Sequence, residues 1–238
     1  MIQFIKSIFI DTGFQIDDKV VGFNEHYQMF FAKRIGSDKF DFYLTIAIEE
    51  EKLQLEQLER MFDEVLEQIL HTQNYPGVDK NLSLLLIVER KFIQYTDEFN
   101  KKIYDFEEDP FHFKKYILPY TFEQSNILKA KLGSGENVVE QLDTIITNKQ
   151  LFSSFKNDGE ISESDDAKLY DLTSKIYIKL PFLKLKVNKE ELPNISKEIE
   201  SEISPKDKVI VNKVLGMQKE DIEWDGIQKV LGVKIDEL

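Results

Sequence analysis

The apolar run at residues 82–88 is almost unbroken and reads Leu82-Ser83-Leu84-Leu85-Leu86-Ile87-Val88, directly after the polar residues Asp79-Lys80-Asn81. A strand with one solvated face carries apolar residues at every second position, whereas this run is apolar at nearly every position. It therefore predicts a strand that is buried on both faces.

The residues upstream of this run predict a short helix, a β-hairpin and a long helix. Apolar residues at helical spacing in residues 2–9 precede Gly13, and two aromatic-rich runs, 27–35 and 40–48, flank a Gly-containing connector, which is typical of a hairpin. From Glu49 a long amphipathic helix is expected, because acidic residues complement the positive end of a helix dipole. Its apolar stripe comprises Leu55, Leu58, Phe62, Val65 and Ile69.

Downstream of residue 92 the pattern becomes helical. We expect helices at 92–106, 110–118, 121–132 and 137–147, the third with Thr121 and Gln124 as a capping box, and an exposed acidic loop at 156–166. The predicted fold class is α+β, with a small helix-covered sheet of three strands in the N-terminal half and a mostly helical C-terminal region. The predicted division is residues 1–120 and 121–238.

Composition narrows the function classes. The chain has 31 basic and 44 acidic residues, a formal charge of −13, and no cysteine. This charge disfavours direct binding to nucleic acid, and the missing thiols exclude disulfides and cysteine chemistry. No apolar stretch is long enough to span a bilayer, and the N-terminus lacks the pattern of a signal peptide. We expect a cytoplasmic protein.

One pattern could carry catalysis. Glu89-Arg90-Lys91 directly follows the buried strand, and nucleases with a Glu-x-Lys motif use such a carboxylate with an upstream acid, here Asp41, to hold Mg²⁺. The alternative is a solvated strand end, which we favour because short motifs are frequent in a chain that is 32% charged. The three histidines are scattered, and no phosphate-binding loop is complete. We therefore predict no enzyme activity and no cofactor, metal or small-molecule site.

A distinctive segment follows Asp109-Pro110, a pair that suits the start of a helix. Aromatic and basic residues there predict either a core helix flanked by solvated charges or an exposed docking surface for a partner protein, since aromatic residues are enriched among interface hot spots. The predicted partner-binding residues are Phe111, His112, Lys114, Lys115 and Tyr116, with Trp224 in the C-terminal helices as a further candidate.

The segments at 79–86 and 107–121 resemble the middle component of bacterial ABC-three-component systems, of which Lamassu-type anti-phage defence complexes, with the subunit LmuC, are examples. The second segment is Glu107-Glu108-Asp109-Pro110-Phe111-His112-Phe113-Lys114-Lys115-Tyr116-Ile117-Leu118-Pro119-Tyr120-Thr121. The resemblance implies a non-catalytic adaptor that joins an SMC-like ABC ATPase to an effector, often a nuclease. It also implies that nucleic acid is met mainly through these partners.

Two other functions stay open at this point. One is the Mg²⁺-dependent nuclease that would use Asp41, Glu89 and Lys91. The other is an acidic, antitoxin-like inhibitor that would mask a basic toxin with the negative charge of its surface.

Overall fold

A computed structural model describes residues 1–17, 27–36, 40–72, 75, 77–109, 114–133, 137–158, 164–186 and 202–216, apart from the side chains of residues 55–57, 59, 71, 72 and 214. Contacts divide the chain into two compact units, Met1–Leu185 and Lys186–Leu238. The predicted division after residue 120 falls inside the first unit. In the second unit the described residues include the helix Pro205–Leu215, α9 below.

The described helices and strands follow one another in this order: α1 (Ile2–Asp11), β1 (Gln15–Ile16), β2 (Gln28–Ile35), β3 (Phe40–Glu49), a 3₁₀ turn (Glu50–Lys52), α2 (Leu55–Thr72), α3 (Val78–Asn81), β4 (Leu82–Arg90), α4 (Asp97–Glu107), β5 (Lys114–Thr121), α5 (Phe122–Lys131), α6 (Val138–Ile146), α7 (Lys149–Asp158), α8 (Asp165–Lys179) and α9 (Pro205–Leu215).

The described strands form one sheet in the order β1-β2-β3-β4-β5. β2 pairs antiparallel with β1 and with β3, which confirms the predicted hairpin. β3, β4 and β5 run parallel to one another. The sheet thus has five strands where the sequence predicted three, because neither the two-residue β1 nor β5 carries an alternating apolar pattern long enough to be recognised.

The predicted helix at 110–118 is wrong over residues 114–118, because Lys114–Thr121 is the edge strand β5, and residues 110–113 lie outside the described residues. Its backbone pairs in parallel with β4, and Leu118 lies opposite Ile87. The helical spacing of its aromatic residues is a local signal, whereas pairing with a buried strand satisfies the backbone over the whole segment. Pro119 is tolerated there because the outer side of an edge strand needs no N–H donor.

β4 lies inside the sheet and is buried on both faces, as predicted. Leu84 and Leu86 face one helical layer, Leu85 and Ile87 face the other, and all four are fully buried. The central strand therefore joins two separate apolar cores.

The first core lies between the sheet and the two crossover helices, α2 and α4. The predicted stripe of α2 is buried there at Leu58, Phe62, Val65 and Ile69. The helix begins at Leu55, while Glu50–Lys52 form a 3₁₀ turn at the end of β3, so Glu49 does not open it as predicted. Its amphipathic spacing explains why it covers the sheet.

The second core lies on the opposite face, under α1 and α5–α8. The predicted helices at 121–132 and 137–147 are confirmed as α5 and α6, and the capping box of Thr121 and Gln124 is present. The predicted helix at 92–106 begins at Asp97. The exposed loop predicted at 156–166 is wrong at both ends, because residues 156–158 belong to α7 and residues 165–166 to α8, while residues 159–163 lie outside the described residues. Helices cover both faces of the sheet, and the α+β class is confirmed.

Candidate partner-binding site

The ends of the three parallel strands, β3, β4 and β5, form two edges of the sheet, a carboxyl edge and an amino edge. Their carboxyl ends meet at Glu49, Arg90 and Thr121, and their amino ends meet near Phe42, Leu82 and Lys114. Side chains from strands and loops that are distant in sequence converge at both edges, and ligands of open parallel sheets usually bind at the carboxyl edge.

At the carboxyl edge the charged side chains pair with one another. Arg90 is buried, and its guanidinium donates to Glu50 at 3.1 Å and to the carbonyl of Gln94 at 3.1 Å. The same guanidinium lies 3.8 Å from the centre of the Phe99 ring. Lys91 pairs with Glu51 at 2.7 Å. Arg90 thereby ties the 3₁₀ turn and α4 to the end of β4.

Glu89 is bound by a tyrosine from the neighbouring strand. The hydroxyl of Tyr120 donates to a carboxylate oxygen of Glu89 at 2.7 Å. Burial, together with the hydrogen bond to this carboxylate and its negative charge, raises the pKa of Tyr120 well above its ordinary value. The tyrosine therefore stays protonated and remains a donor to Glu89.

The proposed nuclease residues are not brought together. Glu89 pairs in register with Glu49, and Asp41 lies eight residues before Glu49 on the same strand. At about 3.3 Å per residue this separation is about 26 Å. Asp41 instead forms an ion pair with Arg34, with 2.5 Å between the guanidinium and the carboxylate. Asp41, Glu89 and Lys91, the residues of the alternative nuclease hypothesis, therefore lie apart in the structure.

No group of three or more residues suited to hold a metal ion is present in the part of the chain that the structure describes. The side chains of His26, His71 and His112 all lie outside that part. None of the helices within it combines the length and apolar character needed to cross a lipid bilayer.

At the amino edge an open cleft of about 1160 Å³ lies over the end of the sheet. We call it the basic cleft, after the four cations that line it: Arg34, Lys80, Lys114 and Lys184. They come from β2, α3, β5 and the segment after α8. Among the described residues that line the cleft, Asp41 is the one carboxylate, so cations outnumber acids in a chain whose formal charge is −13.

Two neighbouring cross-strand rows of the sheet line the basic cleft. Arg34 lies opposite Asp41, Tyr43 lies opposite Ser83, and Ser83 lies opposite Lys114. These side chains share the face that carries the second core, because alternate residues of a strand point to the same side. Burial raises the pKa of Tyr43 to about 12, so its hydroxyl stays neutral, and it is hydrogen-bonded to Ser83.

Residues 41–152 match the model of the ABC-three component (ABC-3C) system Middle Component 1 family. The match covers a little under half of the chain and supports the resemblance to ABC-three-component middle components at the level of the family. Comparison with curated proteins and with solved structures gave no match.

The part that matches Middle Component 1 runs from β3 into α7. It contains both parallel crossovers and nearly all of the first core, but less than half of the buried residues of the second core. Of the residues that line the basic cleft, Asp41, Lys80, Ser83 and Lys114 lie inside the matched range, whereas Arg34 and Lys184 lie outside it.

The docking residues predicted within the segment 107–121 lie in different environments. Lys114 is exposed and lines the basic cleft, and Tyr116 is half-buried beside it. Lys115 is buried, with its ammonium paired to Asp109, so it is not available for docking. Phe111, His112 and Trp224 lie outside the described residues.

Sequence reasoning missed Arg34, Lys80 and Lys184 as members of the cleft. The hairpin could have revealed the first, because its connector sets Ile35 opposite Phe40 and hence Arg34 opposite Asp41. Lys80 and Lys184 are about a hundred residues apart in the sequence, and both line the cleft because α8 packs against the sheet. No periodicity or motif carries that information.

Proposed function

We propose that this chain is a non-catalytic adaptor and regulatory subunit that joins an SMC-like ABC ATPase to an effector. The observation that carries the proposal is the match of residues 41–152 to Middle Component 1 of ABC-three-component systems. A middle component is named for membership in a system of three parts, which implies protein partners.

The finer proposal is a Lamassu-type, LmuC-like subunit of a bacterial anti-phage or anti-plasmid defence complex, acting in the cytoplasm. Its support is the resemblance of the segment at 107–121, together with the formal charge of −13. This charge repels the phosphate backbone, so contact with nucleic acid would run mainly through the partners. The effector would be the nuclease.

The arrangement of charges supports an adaptor over a nuclease of the Glu-x-Lys type. Arg90 and Lys91 hold Glu50 and Glu51, and Glu89 accepts from Tyr120, so these groups bind neighbouring elements together. The upstream acid of the motif, Asp41, lies at the opposite end of its strand and holds Arg34.

The test is co-expression of this chain, carrying an affinity tag, with the products of its flanking genes. We expect a stable complex that contains a coiled-coil ATPase and an effector, with the mass measured by light scattering after gel filtration. In the matched control the ATPase and the effector are expressed together without this chain, and we expect these two proteins not to assemble. A tight pair with one small basic protein would instead support the antitoxin-like function.

The absence of catalysis is tested on the purified chain alone. DNA is incubated with Mg²⁺ or Mn²⁺ and with either the native chain or the Glu89→Gln variant. We expect equal backgrounds from both proteins. Metal-dependent cutting by the native chain that is lost in Glu89→Gln would contradict the proposal.

A further inference from the structure

We infer that the basic cleft is the docking site for an acidic, extended segment of a partner protein. The inference rests on the proposed function, because a partner is expected only if the chain works within a complex. It assigns that partner a surface and a chemistry.

Three of the four cations in the basic cleft are available for a ligand. Lys80, Lys114 and Lys184 are exposed, and no described residue forms an ion pair with any of them. They come from three separate chain segments and face the same cleft. A ligand that spans the cleft could therefore meet several positive charges at once.

Arg34 has a different part in the cleft. Two of its guanidinium nitrogens donate to Asp41, at 2.5 and 3.1 Å, and the group lies 4.5 Å from the centre of the Phe14 ring. It also donates to the carbonyl of Thr12 at 3.4 Å. These contacts hold Arg34 in place as a wall of the cleft, so we assign recognition of the ligand to the three lysines.

The walls suit a peptide better than bases of a nucleic acid. Proteins that bind single strands without sequence preference stack bases on free aromatic faces. Here the ring of Phe182 packs against Phe9, Phe14 and Tyr43, with ring centres 4.9, 4.9 and 5.3 Å away, and Tyr43 is itself buried. Phe40 and Tyr116 also line the cleft and are half-buried, so none of the described rings in the cleft is fully exposed.

The net charge of the chain also favours a short acidic segment over a nucleic acid as the ligand of the basic cleft. A long polyanion is repelled by the formal charge of −13, and that repulsion grows with the charge it brings. A short acidic segment brings only a few carboxylates, which is the number that three lysines can meet. A cleft of about 1160 Å³ is large enough for an extended segment of several residues.

The first experiment uses anisotropy to measure the binding of a fluorescein-labelled, ten-residue peptide that contains three glutamates among glycines and serines. The test variant is Lys80→Glu/Lys114→Glu/Lys184→Glu, and the matched control is Lys101→Glu/Lys131→Glu/Lys149→Glu, which changes three exposed lysines elsewhere and alters the net charge equally. We expect the test variant to bind at least about tenfold more weakly and the control to change less than about twofold. Binding should also weaken as NaCl is raised.

Circular dichroism establishes that each variant is folded, and Lys80→Gln/Lys114→Gln/Lys184→Gln gives a milder second variant. Equal losses in the test and control variants, or no binding of the peptide to the native chain, would overturn the inference. So would tighter binding of a twenty-residue thymidine strand than of the peptide, because that result would assign the cleft to nucleic acid.

The second experiment repeats the co-expression with the test variant. Loss of one partner, with the control variant still assembled, supports docking in the basic cleft. A complete complex formed by the test variant overturns the inference and leaves the adaptor function intact. If the native chain forms no complex, the adaptor function fails, and the peptide measurement alone decides the property of the cleft.

Discussion

Lys114 and Lys115 are neighbours in the chain and lie on opposite faces of β5. Lys114 is exposed in the basic cleft, whereas the ammonium of Lys115 is buried, pairs with Asp109 and lies 5.7 Å from the centre of the Phe106 ring. The pleat of a strand separates them, because successive side chains point to opposite sides. One lysine is thus available to a ligand and the other fastens the residues before β5.

We predict that Lys115→Ala lowers the free energy of unfolding by about 3 kcal/mol, because it leaves Asp109 without its buried cation. Lys114→Ala is the matched control and should change that energy by less than about 0.5 kcal/mol. Urea unfolding of the three proteins measures both values. Equal effects of the two substitutions would contradict the buried pair.

The raised pKa of Tyr43 makes the free energy of unfolding depend on pH in the alkaline range. Its pKa is about 12 in the folded chain because of burial, against 10.0 as the ordinary value. Above pH 10 the unfolded chain loses this proton first and so binds fewer protons than the folded chain, and stability falls as pH rises. Tyr43 therefore contributes to the loss of stability as pH rises from 10 towards about 12.

The variant Tyr43→Phe should therefore show a shallower loss of stability above pH 10 than the native chain. Tyr104→Phe, at an exposed position on α4, is the control and should keep the native slope. Urea unfolding at a series of pH values from 9 to 11.5 measures the slopes. An unchanged slope in Tyr43→Phe would show that another group governs the alkaline limit.

At the scale of the element, the turn from β5 into α5 is stabilised from two directions. Thr121 accepts from the backbone N–H of Gln124 at 3.2 Å, and the side chain of Gln124 accepts from the N–H of Thr121 at 2.9 Å. The amide of Gln124 also donates to Asp171 of α8 at 2.7 Å. The capping box therefore joins the strand, its own helix and α8.

We predict that Thr121→Val, which keeps the shape of the side chain and removes the hydroxyl, lowers the free energy of unfolding by about 1 kcal/mol. The control is Thr144→Val, an exposed threonine within α6, which should change that energy by less than about 0.5 kcal/mol. Thermal and urea unfolding measure the difference. A neutral Thr121→Val would mean that the cap contributes nothing to the turn.

The contrast between α5 and β5 indicates what the sequence could predict. The cap at Thr121 is a local signal between residues three apart, and it correctly marks the start of α5. The conformation of β5 depends on its partner β4, about thirty residues away in the sequence, and the local spacing of Phe113, Tyr116 and Ile117 favoured a helix instead. The basic cleft was beyond prediction for the same reason, since Lys184 reaches it only through the tertiary packing of the segment after α8.

At the scale of the whole molecule, the sheet is covered on both faces by separate helical layers. Leu86 and Ile87 are consecutive residues of β4, both fully buried, one in each core. A chain with a single core would bury one of the two and leave the other exposed to solvent. The layers therefore contribute comparable amounts of apolar burial around β4.

We predict that Leu86→Ala and Ile87→Ala each lower the free energy of unfolding by about 3 kcal/mol, because each leaves a cavity in a packed core. Ile178→Ala, at an exposed position on α8, is the control and should have an effect below about 0.5 kcal/mol. Urea unfolding measures the free energy of unfolding of all three variants, with one common dependence on urea concentration fitted to them. A small effect for either core variant would contradict cover on that face.

The parallel pairing of β4 has a consequence for how the chain acquires its structure during synthesis. Phe40 pairs with Ile35 across a short connector, whereas Phe42 pairs with Leu82, which is forty residues further along the chain. The hairpin can therefore close early, and the central strand joins it slowly. Until α5–α8 have emerged, Leu85 and Ile87 have only part of their cover. A nascent chain that stops before residue 121 would expose an apolar sheet face, and we expect such fragments to aggregate or to be held by chaperones.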